Sequence, residues 1–66
     1  MTFSEHLLQL RTARDLSQKA LATEIGISWR TYQNYELGLR EPSLSTLFAL
    51  ADFYDLSLDE LVCRER

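Results

Sequence analysis

The chain has 66 residues, 45% of them hydrophobic, and its seven basic and ten acidic side chains leave a net charge of −3. That length supports one small domain, 1–66, whose core hides only about 60% of the unfolded surface, so an oligomer would help it. One cysteine and one histidine exclude an internal disulfide and a four-ligand zinc site, no apolar run reaches membrane-spanning length, and no secretion signal is readable. A soluble cytoplasmic protein with no membrane partner and no cofactor is therefore expected, and an overall charge of −3, taken alone, argues against nucleic acid.

The hydrophobic period is helical, and small hydroxyl residues mark the helix starts, where a side-chain oxygen can accept from the free amides of a first turn. The first predicted helix begins after Thr2, which with Glu5 fits a capping box. Phe3, Leu7 and Leu10, with Ala13 or Arg14, make its inward stripe, and it ends near Arg14–Asp15. The second begins at Ser17 and turns Leu21, Ala22 and Ile25 inward. Gly26 stops it, because glycine enters the left-handed region without a Cβ penalty. After Ile27, Ser28 caps the third helix, with Tyr32 and Tyr35 inward, and Gly38 closes it. Leu39, Arg40 and Glu41 lead to Pro42. Ser43 caps the fourth helix, which runs through Leu44, Leu47, Leu50, Ala51 and Tyr54. Asp55 and Leu56 make the next turn, and Ser57 with Glu60 gives a second capping box opening a short fifth helix with Leu58 and Leu61. Short turns between five short helices give an all-α cluster.

Charge is unevenly spread along these elements. Residues 1–40 carry five basic groups (Arg11, Arg14, Lys19, Arg30, Arg40) against four acidic ones, a net of +1. Residues 41–66 carry two basic groups against six acidic ones, a net of −4. The acid excess belongs to the C-terminal part, and the basic groups of the first part are available to gather on one face.

The stretch from Gln18 to Leu37 reads QKALATEIGISWRTYQNYEL. Two helices joined by a three- to four-residue turn approach closely, so the residue facing the crossing must be small, and Ala22 is. Gly26, four residues on, suits a positive φ. Leu21, Ile25, Ile27, Tyr32 and Tyr35 pin both helices to the rest of the chain, while Trp29, Arg30, Gln33 and Asn34 face outward.

These residues resemble the Cro/repressor-type helix-turn-helix family, the lambda-repressor-like or XRE-like DNA-binding domains. The resemblance runs over roughly residues 3 to 62. It is carried by Leu10-Arg11, Leu16-Ser17-Gln18, Leu21-Ala22, Ile25-Gly26-Ile27-Ser28, Tyr35-Glu36 with Gly38, Pro42-Ser43-Leu44, Leu47, Leu50-Ala51 and the run from Leu56 to Leu61. It implies a compact five-helix lambda-repressor-like fold, with the helix-turn-helix over 18–37 and supporting helices over about 43–63. It also implies a third helix lying in the major groove of double-stranded DNA. Transferred by position, Gln18 and Lys19 become candidates at the phosphate or groove edge, where the start of the second helix also favours an anion. Ser28 lies at the start of the reading helix. Trp29, Arg30 and Gln33 become candidates for base edges, since Gln pairs bidentately with adenine and Arg with guanine. Asn34 and Arg40 become phosphate contacts, which position without specifying. Arg11 and Glu36 match a family pair that bridges the first and third helices, read here as structural.

Four residues depart from the family pattern, among them Leu39, more apolar than a phosphate-binding loop requires. Asp15 stands where glycine is usual and must take a left-handed or similar conformation. Tyr32 replaces a branched aliphatic residue, so its hydroxyl is expected to reach the surface or a partner. Trp29 is bulky for the start of a reading helix and suits a thymine methyl, a sugar or another protein. His6 reads as solvated, Cys63 as an idle thiol, and the acidic groups of the last two helices as a solvated face turned away from DNA. The fourth helix carries more apolar residues than one core needs, so Phe48 or Phe53 is surplus. With Leu58, Leu61 and Val62 they suggest a homodimer on a palindromic site.

The expected function is a sequence-specific DNA-binding transcriptional regulator, a repressor in its simplest form, with RNA polymerase or another protein as a further partner. A protein-interaction or antitoxin-like module on the same fold is the alternative. With no nucleophile, base or metal set in view, an enzyme is not expected.

Overall fold

Every helix among the described residues is opened by a hydroxyl side chain. The computed structural model describes residues 1–62; Cys63, Arg64, Glu65 and Arg66, and so the end of the acidic C-terminal part and the reading of the thiol, lie outside them. Within that span the order is α1 (Phe3–Ala13), α2 (Gln18–Ile25), α3 (Trp29–Glu36), α4 (Leu44–Tyr54) and α5 (Leu58–Leu61), with no strand among the described residues. Thr2, Ser17, Ser28, Ser43 and Ser57 each accept a hydrogen bond from the amide three residues on, satisfying an otherwise orphaned donor. Both expected capping boxes close, with Glu5 accepting from the Thr2 amide at 2.8 Å and Glu60 from the Ser57 amide at 3.0 Å.

The turns share a device at the other end. Each contains one left-handed residue: Asp15 (φ 55°), Gly26 (φ 78°), Gly38 (φ 74°) and Asp55 (φ 56°). Asp15 thus does adopt the conformation that its place in the turn requires. Asp55 does the same at the end of α4, where the sequence indicated only a turn. Aspartate tolerates this region better than most side chains because it can hydrogen-bond locally.

The helices enclose Leu7, Leu21, Ala22, Tyr32, Tyr35, Leu50, Ala51, Tyr54 and Leu61, with Phe3, Leu10, Ile25, Leu47, Phe53 and Leu58 half-buried around them. Three expectations change here. Tyr32 does not bring its hydroxyl to the surface: it is fully buried and donates to Glu36 one turn along α3, which supplies the acceptor the core lacks. His6 is not solvated: it is half-buried, and its Nδ1 lies 2.9 Å from the Leu61 carbonyl oxygen. A carbonyl only accepts, so Nδ1 donates and ties α1 to α5. Leu61 is fully buried within the chain, so it offers no surface to a second copy.

The apolar excess on α4 divides between its two phenylalanines. Phe48 is half-exposed, while Phe53 packs on the core and lies edge-on to Tyr54 at 5.1 Å between ring centroids. Arg14 covers both rings, its guanidinium carbon 5.5 Å from the Phe53 centroid and 5.1 Å from that of Tyr54. It also points at the carbonyls of Phe53 and Tyr54 at 3.4 Å, a cation at the negative end of a helix dipole.

Tyr54 carries the one buried side-chain oxygen without a hydrogen-bond partner among the described residues, and burial pushes its hydroxyl up to about 12. A buried donor left unpaired costs about 1–3 kcal/mol. Tyr54→Phe is therefore expected to stabilise the chain by about 1 kcal/mol, read as a higher urea midpoint with an unchanged slope.

Candidate nucleic-acid interface

The site is built where α2 and α3 cross. Ala22, only 1% exposed, lies at that crossing. Gly26 ends α2 in the left-handed region, and the Ile27 amide then donates back to the Ala22 carbonyl at 3.0 Å. A Cβ on Gly26 would meet nothing within 4 Å, so glycine is required there by backbone conformation and not by space. The tight turn places Ser28 as the cap of α3 and aligns the first residue of each helix. Gln18 opens α2, Trp29 opens α3, and their side chains meet, the indole Nε1–H donating to Gln18 Oε1 at 3.2 Å.

Behind this pair lies an ion pair. Arg11 on α1 and Glu36 at the end of α3 meet with Nε 2.6 Å from Oε2 and Nη2 3.1 Å from Oε1, their side chains 13% and 5% exposed. The remaining arm of Arg11 donates to the Leu16 carbonyl at 2.7 Å, holding the loop before α2. Glu36 also accepts from the Tyr32 hydroxyl at 2.5 Å and from Gln18 Nε2 at 2.9 Å. Burial alone would raise its carboxyl, but the hydrogen bonds from Arg11, Tyr32 and Gln18 outweigh it and hold the group below its ordinary value. The hydrogen bond to Glu36 in turn raises Arg11 further above its usual range.

The other expected contact residues stand as follows. Trp29, half-exposed, and Arg30, exposed, face solvent at the start of α3, and Gln33 and Asn34 follow one turn on, half-buried. Lys19 is exposed as the second residue of α2, as Arg30 is the second of α3. The Ser28 hydroxyl is already engaged, accepting from the Thr31 amide at 3.1 Å and donating to the Thr31 hydroxyl at 2.7 Å. Arg40 is exposed in the α3–α4 loop, beside an open cleft of about 360 Å³ that it lines with Phe3, Tyr35, Pro42, Leu47 and Val62.

Of the five basic groups in residues 1–40, Arg11 turns inward to pair with Glu36, and Arg14, itself exposed, lies against the rings of Phe53 and Tyr54. Lys19, Arg30 and Arg40 remain as exposed cations with no ion pair among the described residues. The basic character that the sequence assigned to the first part is therefore concentrated on α2, α3 and the loop that follows. The link between Gln18 and Trp29 went unread in the sequence. Its signal was present: both residues follow directly on a serine cap, eleven positions apart across the turn.

A helix-turn-helix family model matches residues 7–61. The transcriptional repressor RstR of the cryptic phage CTXphi, from Vibrio cholerae, is 43% identical over 60 residues, covering 91% of this chain and 54% of its own length. The HTH-type transcriptional regulator AnsR of Bacillus subtilis is 42% identical over 62 residues, covering 94% of this chain and 53% of its own length. Among solved structures, a transcriptional regulator from Listeria innocua superposes with a TM-score of 0.92 at 31% identity, covering 98% of this chain and 61% of that one. The chain spans about half the length of the curated relatives it matches. With the five-helix order, the Ala22–Gly26 crossing and the family match over most of its length, the chain belongs to the XRE-type helix-turn-helix family.

Proposed function

We propose that this chain is the DNA-reading part of a transcriptional regulator, acting in the cytoplasm and not as an enzyme. It lays the exposed face of α3 in the major groove of double-stranded DNA. The observation that carries this is the face of α3 that Trp29 and Arg30 expose at its start and that half-buried Gln33 continues one turn on, flanked by Lys19 and Arg40, exposed cations with no ion pair among the described residues. Arg30 and Gln33 have the donor patterns that pair with guanine and adenine edges. Lys19, Asn34, Arg40 and the amide of Gln18 serve the phosphates. The names of the relatives, a phage repressor among them, support repression by operator occupancy. A homodimer through Phe48, Leu58 and Val62, without Leu61 and Phe53, which pack within the chain, would present two copies of α3 one DNA turn apart, about 34–36 Å.

Binding of a specific duplex is expected to fall steeply with salt, with a log–log slope of about −0.9 for each phosphate contact. Gln33→Ala is expected to relax the preference at one base position, at a cost of about 1–3 kcal/mol. Arg40→Ala is expected to weaken all duplexes alike and to reduce the salt slope by about one. A slope near zero, or a Gln33→Ala chain with unchanged base preference, would contradict the assignment.

Leu37 and Leu39, 62% and 71% exposed directly after α3, and Leu44, 62% exposed at the start of α4, favour a second reading, in which these side chains meet another protein. Duplex binding that survives loss of these three side chains separates the two readings.

A further inference from the structure

Trp29 holds a place in the site that its residue type alone does not explain. Indole has one polar group, a donor, and base edges and phosphates offer many acceptors. Here that donor is already engaged, 3.2 Å from Gln18 Oε1. The orientation of the Gln18 amide is fixed from both sides by chemistry. The ionised Glu36 can only accept, so the amide nitrogen faces it at 2.9 Å, and Trp29 can only donate, so the amide oxygen faces the indole. Glu36 is itself held by Arg11 and Tyr32. The indole is thus anchored through one amide to a buried ion pair, while half of its surface remains in solvent.

We infer that Trp29 reads the C5-methyl group of thymine in the major groove, with Gln18 as the residue that positions it. This rests on the DNA-binding reading above. With its N–H turned back to Gln18, the ring presents carbon only, and the one carbon substituent that distinguishes a base in the major groove is the thymine methyl. Gln18 keeps its second amide hydrogen for a phosphate, so clamping the indole and contacting the backbone are compatible. Arg30 and Gln33 then read by hydrogen bonds while Trp29 reads by apolar contact, and the two modes are separable by experiment.

Deoxyuridine differs from thymidine in that methyl group alone. The test takes the preferred duplex from a random-pool selection, replaces each thymine by uracil in turn, and measures the affinity of the full chain. Wild type is expected to lose about fourfold at one thymine of each half-site, the effect of one buried methyl. Trp29→Ala, at an exposed position that leaves the core untouched, is expected to bind the thymine and uracil duplexes equally. Gln33→Ala is expected to keep the fourfold ratio. Gln18→Ala, shown to be folded by its circular dichroism, is expected to bring the ratio towards one, which a merely stabilising role for Gln18 would not do. Because Trp29 is the chain's one tryptophan, its emission is expected to shift to the blue on the thymine duplex and less on the uracil duplex. Wild type that tolerates uracil at every position overturns the inference and leaves the DNA-binding reading standing. So does a thymine preference retained by Trp29→Ala. A folded chain that binds no duplex overturns the reading beneath it, and the inference with it.

Discussion

Arg11→Met is expected to cost about 3–5 kcal/mol of folding stability, because it leaves the carboxylate of Glu36 buried with its cation removed. Glu36 has a side chain only 5% exposed, so water cannot take over from the guanidinium. Tyr32 and Gln18 still donate to it, but neither carries charge. For a chain of 66 residues the whole folding free energy is about 3–10 kcal/mol, so this one change removes much of it. Urea unfolding followed by circular dichroism measures the loss. The double variant Arg11→Met with Glu36→Gln is expected to recover part of it, since no unpaired charge then remains. The same pair sets a pH dependence. The folded Glu36 carboxyl lies below its ordinary 4.5, so its stabilising contribution is present above that pH and is lost as pH falls through the folded value. Glu5 and Glu60 are lowered chiefly by the backbone amides of their capping boxes and act in the same direction, so Glu36→Gln is expected to flatten the acid limb without abolishing it.

Ala22→Leu is expected to cost about 3 kcal/mol, at the upper end for overpacking a closed core, and to reduce duplex affinity even where the chain stays folded. Ala22 is 1% exposed at the crossing, and its carbonyl accepts from Ile27 to close the turn. A larger side chain would have to push α2 and α3 apart, which separates Gln18 from Trp29 and shifts the exposed face of α3. Ala22→Ser, close in volume, is expected to be tolerated far better. Thermal unfolding and duplex titration of the two variants measure these effects together.

The helices were legible in the sequence because their signals are local. A hydroxyl at the cap with an acid three residues on needs no tertiary partner, and Thr2–Glu5 and Ser57–Glu60 close as their spacing indicates. Gly26 was legible for the same reason. What the sequence did not carry was the direction in which polar tips point. The hydroxyl of Tyr32 turns inward because Glu36, anchored from α1 by Arg11, waits there as an acceptor. His6 turns inward because the end of α5 presents the Leu61 carbonyl to it. Leu61 belongs to the core and not to a surface because α5 folds back against α1. Each of these depends on a residue distant along the chain. The charge reading shifts on the same ground: Arg11 counts as basic in the composition but is paired inside, Arg14 lies against two rings, and Lys19, Arg30 and Arg40 are exposed with no ion pair among the described residues.

In the proposed function, the exposed start of α3 reads duplex DNA by sequence. Selection of bound duplexes from a random pool at low salt, with wild type and Gln33→Ala in parallel, tests it most directly. The expected result is a palindromic consensus with half-sites about one helical turn apart, and a Gln33→Ala consensus relaxed at one position in each half. Failure of the folded chain to enrich any sequence, or two identical consensus sites, would contradict it.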